Sequence, residues 1–445
     1  MREIEGFSKL SKEGKLEWLA HEFFDQPEDV VEQLRSFWHE DNKQQKVFDE
    51  FSENTLSNFY MPFGVAPNFK INGDLYTIPM VIEESSVVAA ASKSAKFWKE
   101  RGGFHAEIID MQKIGQVHFV WKGEKQKLVA FFDSIQTKLR ENASSITANM
   151  DSRGGGITNI ELVDMTEHEN GYYQLKAYFD TIDAMGANFI NSVLENFADT
   201  LRQEAIGYSE FSDEERDIMI IMSILSNYTP DCKVKIWVEC PIEELGMFEG
   251  GMTPTQFAEK FKLAVKVATV DVHRATTHNK GIFNGVDSVV LATGNDFRAV
   301  EACGHTYAAR NGQYSSLTYY DGDDTTFKYV LEIPMALGTV GGLTSLHPMA
   351  KRSLELLENP SAKELMMVAG VAGLANNFSA LKSMVTVGIQ QGHMKMHLLN
   401  ILNGFEASPK EIEEAKEYFR TRVVSYNEVR GFLKLVRDNK PEFNA

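Results

Sequence analysis

Between Met111 and Leu225 the hydrophobic rhythm of the chain switches repeatedly, and this succession constrains the fold more than any other feature. Apolar and polar residues alternate from Val117 to Trp121, then Leu128 to Leu139 runs at helical spacing. Ile157 to Met165 and Tyr172 to Phe179 read as strands, Ile190, Val193, Leu194, Phe197 and Leu201 mark a second helix, and Ile218 to Leu225 reads as a buried strand. A period of two places side chains on one face of a sheet, and a period of 3.6 places them on one face of a helix. The resulting order, β-α-β-β-α-β, is that of a ferredoxin-like split unit. Because strands and helices of a different spacing precede and follow it, we read 111–222 as a small domain inserted into a larger one.

The flanking elements support that division. Leu16, Leu19 and Phe23, then Val30, Val31, Leu34, Phe37 and Trp38, predict two amphipathic helices near the N-terminus. Asn72-Gly73 is a turn signal before a strand over Leu75 to Ile82. A helix is predicted after Glu83-Glu84, capped by Ser85 or Ser86 and stopped by Gly102-Gly103, which sets Glu84 near its positive end. Val234, Ile236 and Val238 alternate as a strand, Phe257, Phe261 and Val265 follow as a helix, and Tyr319 to Asp324 reads as a hairpin turn between SSLTY and FKYVLEI. The segment from Pro409 to Asn439 predicts two charged helices with few large apolar residues. The fold class is therefore α+β. A large mixed α/β domain over 1–110 and from 223 onward carries the inserted small domain, and the charged helical segments follow at the C-terminus; 445 residues exceed what one core organises.

Charge and cysteine content narrow the function. A formal net charge of -18 opposes binding to nucleic acid or to an anionic membrane surface. No apolar run reaches the roughly 18 residues of a membrane span, and the first residues lack a signal-peptide core, so a cytoplasmic location is expected. Cys232, Cys240 and Cys303 have neither the number nor the spacing of a zinc site or disulfide framework, and no metal is expected.

Chemistry concentrates in Ala275 to Ala302, where Lys280 and Asp296 flank the apolar run Val289 to Ala292 among glycines and uncharged polar groups. The run reads as a short buried segment whose two ends face a common site, where a buried ammonium requires a partner. From these residues alone, a structural ion pair and a catalytic pair are both open.

Separate blocks widen the picture: ENTLSNFYMPFGVAPNFKING (Glu53 to Gly73), EESSVVAAASKSAK (Glu83 to Lys96), DAMGAN (Asp183 to Asn188), RATTHNKGIFNGVD (Arg274 to Asp287), ATGNDFRAVEA (Ala292 to Ala302), GTVGGLTSLHP (Gly338 to Pro348) and GIQQGHMKMH (Gly388 to His397). Together they resemble class II hydroxymethylglutaryl-CoA reductase, the soluble bacterial and archaeal type, across nearly the whole chain. The resemblance implies reduction of hydroxymethylglutaryl-CoA to mevalonate and CoA by two nicotinamide-dependent hydride transfers, in isoprenoid precursor biosynthesis. It implies that Lys280 stabilises the developing oxyanion, that Asp296 holds and polarises Lys280, that Glu84 donates a proton in the second reduction, and that His393 protonates the departing CoA thiolate. Arg274 would grip the substrate carboxylate, with Ser86, Asn227 and Asn284 adding hydrogen bonds and Lys9 meeting CoA. The family's active site lies between subunits, so a homodimer or a higher assembly of dimers is expected, with the segment from Leu381 onward as a flap carrying His393.

No GxGxxG turn occurs. The resemblance instead assigns dinucleotide binding to the inserted domain, through Asp183, Ala184, Met185, Gly186, Ala187 and Asn188. Where NADH-preferring relatives carry an acid, this chain has Ser144-Ser145-Ile146-Thr147, with Arg153 before the glycines. Ser145, Thr147 and Arg153 suit a 2′-phosphate and point to NADPH over NADH, and Asp151 is the opposing feature. Ser85 replaces a proline usual in the family, and Leu56-Ser57-Asn58 replaces an isoleucine-glycine step. Competing readings are the same enzyme working oxidatively on mevalonate with NAD, a CoA-ligand-binding protein without redox chemistry, and an acyl-CoA transferase with Glu84 as nucleophile.

Overall fold

Three short helices open the chain: α1 (Lys12–Phe23), α2 (Pro27–Ser36) and α3 (Asn42–Asp49). Leu16, Ala20 and Val31 close a small apolar cluster between the first two. The computed structural model describes residues 3–386, 398–422 and 424–438. A hairpin of β1 (Phe63–Ile71) and β2 (Asp74–Val81) follows, turning through Asn72 at φ 51° and Gly73 at φ 106°. Two successive positive φ values match the twist of antiparallel strands, which is why Asn-Gly occupies this turn. After α4 (Val87–Lys99), β3 (His105–Asp110) leads to the inserted run.

That run is β4 (Lys113–Val120), α5 (Lys125–Asp151), β5 (Gly156–Asp164), β6 (Tyr172–Asp180), α6 (Ala187–Gly207) and β7 (Met219–Leu225). Its four strands form one antiparallel sheet in the order β5-β6-β4-β7. Val117, Phe119, Leu175 and Phe179 from the strands meet Leu128, Phe131, Leu194 and Phe197 from the helices in a core of their own. The apolar run 218–225 does not form a buried strand: β7 is a sheet edge, and Met219, Ile221, Met222 and Ile224 are exposed. Apolar character alone does not distinguish a central strand from an edge, because position in the sheet is set by pairing partners far away in the chain.

The chain then returns to the larger body through β8 (Lys233–Pro241), α7 (Pro254–Val270), α8 (Val272–Ala292), α9 (Phe297–Ala308), β9 (Thr318–Tyr320), β10 (Thr326–Pro334), α10 (Leu343–Leu346), α11 (Pro348–Leu356) and α12 (Ala362–Val385). Its sheet runs β3-β8-β10-β9, and its core joins residues from Ala66 to Met111 with residues from Cys232 to Leu381. Helices α8 and α12 approach to backbone contact, since a Cβ on Gly285 would lie 2.2 Å from the Ala372 carbonyl oxygen. Beyond this, α13 (described over 398–404), α14 (Pro409–Tyr418) and α15 (Tyr426–Asp438) enclose a separate cluster containing Leu402, Ala415, Phe419, Val429 and Leu433. No described helix is long and apolar enough to cross a membrane.

Candidate active site

One helix organises the chemistry. Ala275, His278, Asn279, Ile282, Phe283 and Val286 form the buried side of α8, and this phase turns Lys280 outward, with Asn284 one turn on. The run Val289 to Ala292 is the last turn of that helix and not a separate buried segment, so the reading of Lys280 and Asp296 at its two ends is corrected. The Lys280 side chain is 60% exposed and hydrogen-bonds the Glu84 carboxylate, itself 42% exposed. The buried ammonium read from the sequence is thus a surface ammonium, because the helical phase that buries His278, Asn279 and Ile282 turns residue 280 outward.

Glu84 lies between β2 and α4, and Ser86 follows at the N-cap position with φ 82°. No side-chain cap bond forms there, which corrects the capping role read for Ser85 or Ser86. A serine in the left-handed region costs on the order of 1 kcal/mol or more and marks a position that the surroundings over-determine.

The underside of α8 is held by buried polar contacts. His278 Nε2 meets Thr318 Oγ1 at 2.6 Å, and the Asn377 side-chain amide donates to the His278 carbonyl at 2.8 Å. Asn279 donates to Ser315 O at 2.9 Å and accepts from the Leu317 amide at 3.0 Å. Burial pushes the His278 imidazole down to about 3, so it is neutral and acts as scaffold. Arg274, a turn earlier, is partly buried; burial lowers its pKa, opposed by the nearby Tyr329 and Asp271. Its guanidinium lies 3.8 Å from Met384 Sδ and pairs with no carboxylate among the described residues.

Asp296 sits at the opposite end of the same turn system. Gly294, at φ 70°, ends α8, and Asp296 caps α9. Its Oδ1 accepts from the Arg298 and Ala299 amides at 3.0 and 3.2 Å and from Arg298 Nε at 3.1 Å, while Oδ2 accepts from Arg298 Nη2 at 3.1 Å. Burial would raise this carboxyl, but the guanidinium and the helix amides outweigh it and hold the group below its usual range. Within one chain Asp296 is paired with Arg298 and Lys280 with Glu84, so the expected Lys280–Asp296 contact is not formed.

A cleft of about 1360 Å³ opens beside Asp296. The first turn of α6 with Ala184, Met185, Gly186, Ala187 and Asn188 lines it, together with Asn295, Arg298, Gly338, Val340, Phe48 and His347. Asp183 anchors its loop in the larger body: its carbonyl accepts from the Thr339 amide at 2.8 Å and its carboxylate from the Ala362 amide at 2.7 Å. Gly338 lets the two segments touch, since a Cβ there would lie 2.4 Å from the Met185 nitrogen, and Asn295 accepts from the Gly338 amide at 2.8 Å. Asn295, Arg298 and Thr339 were not singled out from sequence, although all three lie inside or beside recognised motifs.

Other sequence-selected residues fall elsewhere. Thr147 is 3% exposed and donates to Asp151 at 2.6 Å, while Ser145 and Arg153 are exposed; none of the three lines the cleft. Thr147 and Asp151 are one helical turn apart, so the hydroxyl and the carboxylate satisfy each other. The glycine turn after α5 does reach the base of the 183–188 loop, because a Cβ on Gly155 would lie 2.6 Å from Asp180 O and 3.0 Å from Ile182 Cγ1. Asn227 borders a cavity of about 20 Å³ behind Met185, and Lys9 is exposed in a single helical turn near the N-terminus. His393 lies outside the described residues. All three cysteines are buried and free, and burial pushes the Cys232 thiol up to about 12 and the Cys240 thiol to about 11. No group of three metal-ligating side chains occurs among the described residues.

The family model for hydroxymethylglutaryl-coenzyme A reductase matches residues 15–398. The chain belongs to the hydroxymethylglutaryl-coenzyme A reductase family. It is 35% identical over 421 residues to the 3-hydroxy-3-methylglutaryl-coenzyme A reductase of Archaeoglobus fulgidus, covering 93% of this chain and 90% of that one. The probable reductase of Borreliella burgdorferi is 32% identical over 392 residues, covering 86% of each. Among solved structures, a reductase from Streptococcus pneumoniae superposes with a TM-score of 0.71 at 33% identity, covering 98% of this chain and all of that one. A class II reductase from the same organism, bound to NADPH in open conformations, gives a TM-score of 0.70 at 35% identity, covering 86% of this chain and all of that one. The chain is thus a class II member and an oxidoreductase. The segment Leu56-Ser57-Asn58 is tied to the N-terminal helices: Ser57 Oγ donates to Leu34 O, and Asn58 donates to Phe37 O at 2.9 Å.

Proposed function

We propose that the protein reduces 3-hydroxy-3-methylglutaryl-CoA to mevalonate and CoA, taking two equivalents of NADPH. The observation that carries this reading is the Lys280–Glu84 pair, which joins segments 196 residues apart and stands on the outer face of α8 beside Asn284. An exposed ion pair contributes little to stability, and a lysine so placed offers a compact positive charge to a substrate.

A nicotinamide held at the cleft would supply the hydride that reaches the acyl carbon. Lys280 meets the oxygen on which negative charge builds, an interaction worth on the order of 3 kcal/mol in a site closed to water. Glu84, hydrogen-bonded to that ammonium, is the proton source for the alkoxide of the second reduction. Arg274, partly buried and without a carboxylate partner among the described residues, receives the free carboxylate of the glutaryl group, and Ser86, Asn227 and Asn284 are assigned as further hydrogen-bonding residues for the substrate. His393 is assigned to protonating the CoA thiolate after collapse of the hemithioacetal.

The cleft at the start of α6 fits a dinucleotide. Its volume of about 1360 Å³ accommodates one, and Gly186 at φ 91° begins a helix whose first-turn amides have no intrahelical acceptor. Arg298 adds a cation to the same lining. NADPH bound in the Streptococcus pneumoniae relative supports NADPH as the reductant here.

We assign 111–222 to cofactor binding, 1–110 with 223–380 to substrate and CoA, and 381–445 to a flap; the separate apolar clusters of the large body, the four-stranded insert and the C-terminal helices support this division. The substrate-side pair and the cofactor cleft occupy different parts of one chain, so the working site is completed in a homodimer, with Asp296 of one copy approaching Lys280 of the other. Exposed Phe59, Tyr60 and Phe63 supply apolar surface for that association. The test is to follow NADPH and NADH oxidation separately with hydroxymethylglutaryl-CoA. Two NADPH consumed per CoA released supports the proposal, and release of CoA without nicotinamide oxidation refutes it.

A further inference from the structure

Lys113, the first residue of β4, is 2% exposed and lies where the chain enters the inserted sheet. Its ammonium donates to Thr181 Oγ1 and, at 2.9 Å, to the Ala184 carbonyl, while Thr181 Oγ1 donates to that same carbonyl at 2.6 Å. Thr181 in turn supports the start of α6, since a Cβ on Gly186 would lie 2.5 Å from Thr181 Cγ2. From the other side the loop is held by the Thr339 and Ala362 amides on Asp183. A small cavity of about 20 Å³ adjoins the lysine and is bounded also by Met185, Ala187, Asn227, Thr229 and Ala299.

Burying an ammonium costs several kcal/mol, and an apolar side chain of similar length usually packs as well or better. Stability therefore does not account for a lysine here. Burial pushes its pKa down, opposed by Cys232 and by the carboxylates of Asp180 and Asp183. Locally, the ammonium donates to the Ala184 carbonyl, three residues before the first residue of the helix that lines the cleft.

We propose that Lys113 is a positioning residue for the dinucleotide, fixing the 183–188 loop in the conformation that presents the first turn of α6 to the cofactor. This rests on the reading that the loop meets the dinucleotide, so the experiment separates the two. Lys113→Met leaves no orphaned acceptor, because Thr181 continues to donate to Ala184 O. In steady-state assays the KM for NADPH should rise about tenfold, with kcat changed less than about threefold and the KM for hydroxymethylglutaryl-CoA unchanged. Asn188→Ala serves as the control on the loop itself. If Asn188→Ala weakens NADPH and Lys113→Met does not, the positioning role is overturned and the loop reading stands. If Asn188→Ala leaves NADPH untouched, both are overturned. Should Lys113→Met fail to fold, Thr181→Val, which keeps the Cγ2 packing against Gly186, should raise the KM for NADPH about threefold with kcat retained. An unchanged KM in that folded variant also overturns the proposal.

Discussion

Replacing Asp287 by Asn should make the protein more stable, and increasingly so as pH rises. Asp287 lies on α8 two turns beyond Lys280, its Oδ1 is buried without a hydrogen-bond partner, and it faces Glu301 of α9. Burial, then the charge of Glu301 and its hydrogen bond, push the Asp287 carboxyl from 3.8 up to about 8. The folded state therefore keeps a proton that the unfolded chain releases. Stability present below the unfolded value is lost progressively as pH rises from about 4 to about 8, and the loss is complete above that. The slope is on the order of 1 kcal/mol per pH unit inside this window, so the loss between pH 5.5 and 7.5 amounts to about 2 to 3 kcal/mol. Asn does not titrate and its amide donates to the Glu301 carboxylate in place of the shared proton. His305 of α9, lowered by burial and raised by Glu301, also titrates nearby, so the quantity to measure is the difference between variant and wild type. Denaturant midpoints from pH 5 to 9 should show the Asn variant gaining over wild type up to about pH 8 and levelling there. A difference that does not change with pH would refute the shared proton.

Lys280→Ala should abolish both reductions, measured as NADPH oxidation with the thioester and with mevaldehyde, while circular dichroism and the unfolding midpoint stay near wild type; unfolding of the variant would mean the ion pair is structural. Arg274→Met should raise the KM for hydroxymethylglutaryl-CoA about a hundredfold and leave the KM for NADPH unchanged, since a charge-assisted bidentate bond is worth on the order of 3 kcal/mol. Gly285→Ala should destabilise by about 3 kcal/mol or more, because the new Cβ meets backbone 2.2 Å away and not a side chain that can rotate; an unchanged denaturation midpoint would disprove that packing argument. His393→Gln should impair thioester reduction more than mevaldehyde reduction, and equal loss in both assays would remove its assigned role.

Local patterns revealed a good deal of this protein. The helical phase of Phe257, Phe261 and Val265, the Asn72-Gly73 turn and the alternation of Val234, Ile236 and Val238 depend on neighbouring residues, and each is found where the spacing places it. Position relative to distant partners was less legible. The run 218–225 looked buried and is an edge, Thr147 looked like a phosphate ligand and is bonded to Asp151, and Ser86 adopts a left-handed backbone that its hydroxyl does not cap. Lys113 gave no signal at all, because its partners Thr181 and Ala184 are 68 and 71 residues away.

By itself, the sequence determined the kinds of elements, their order and the family motifs, since periodicity, turn chemistry and residue identity are properties of short stretches of chain. Only the tertiary structure decided which of those residues meet: Lys280 with Glu84 and Asp296 with Arg298, both at the surface, and a buried ammonium under the 183–188 loop. The physical reason is that charge pairing, burial and close backbone approach depend on distance in space, and the helix packing that sets those distances is the summed result of many contacts remote in sequence.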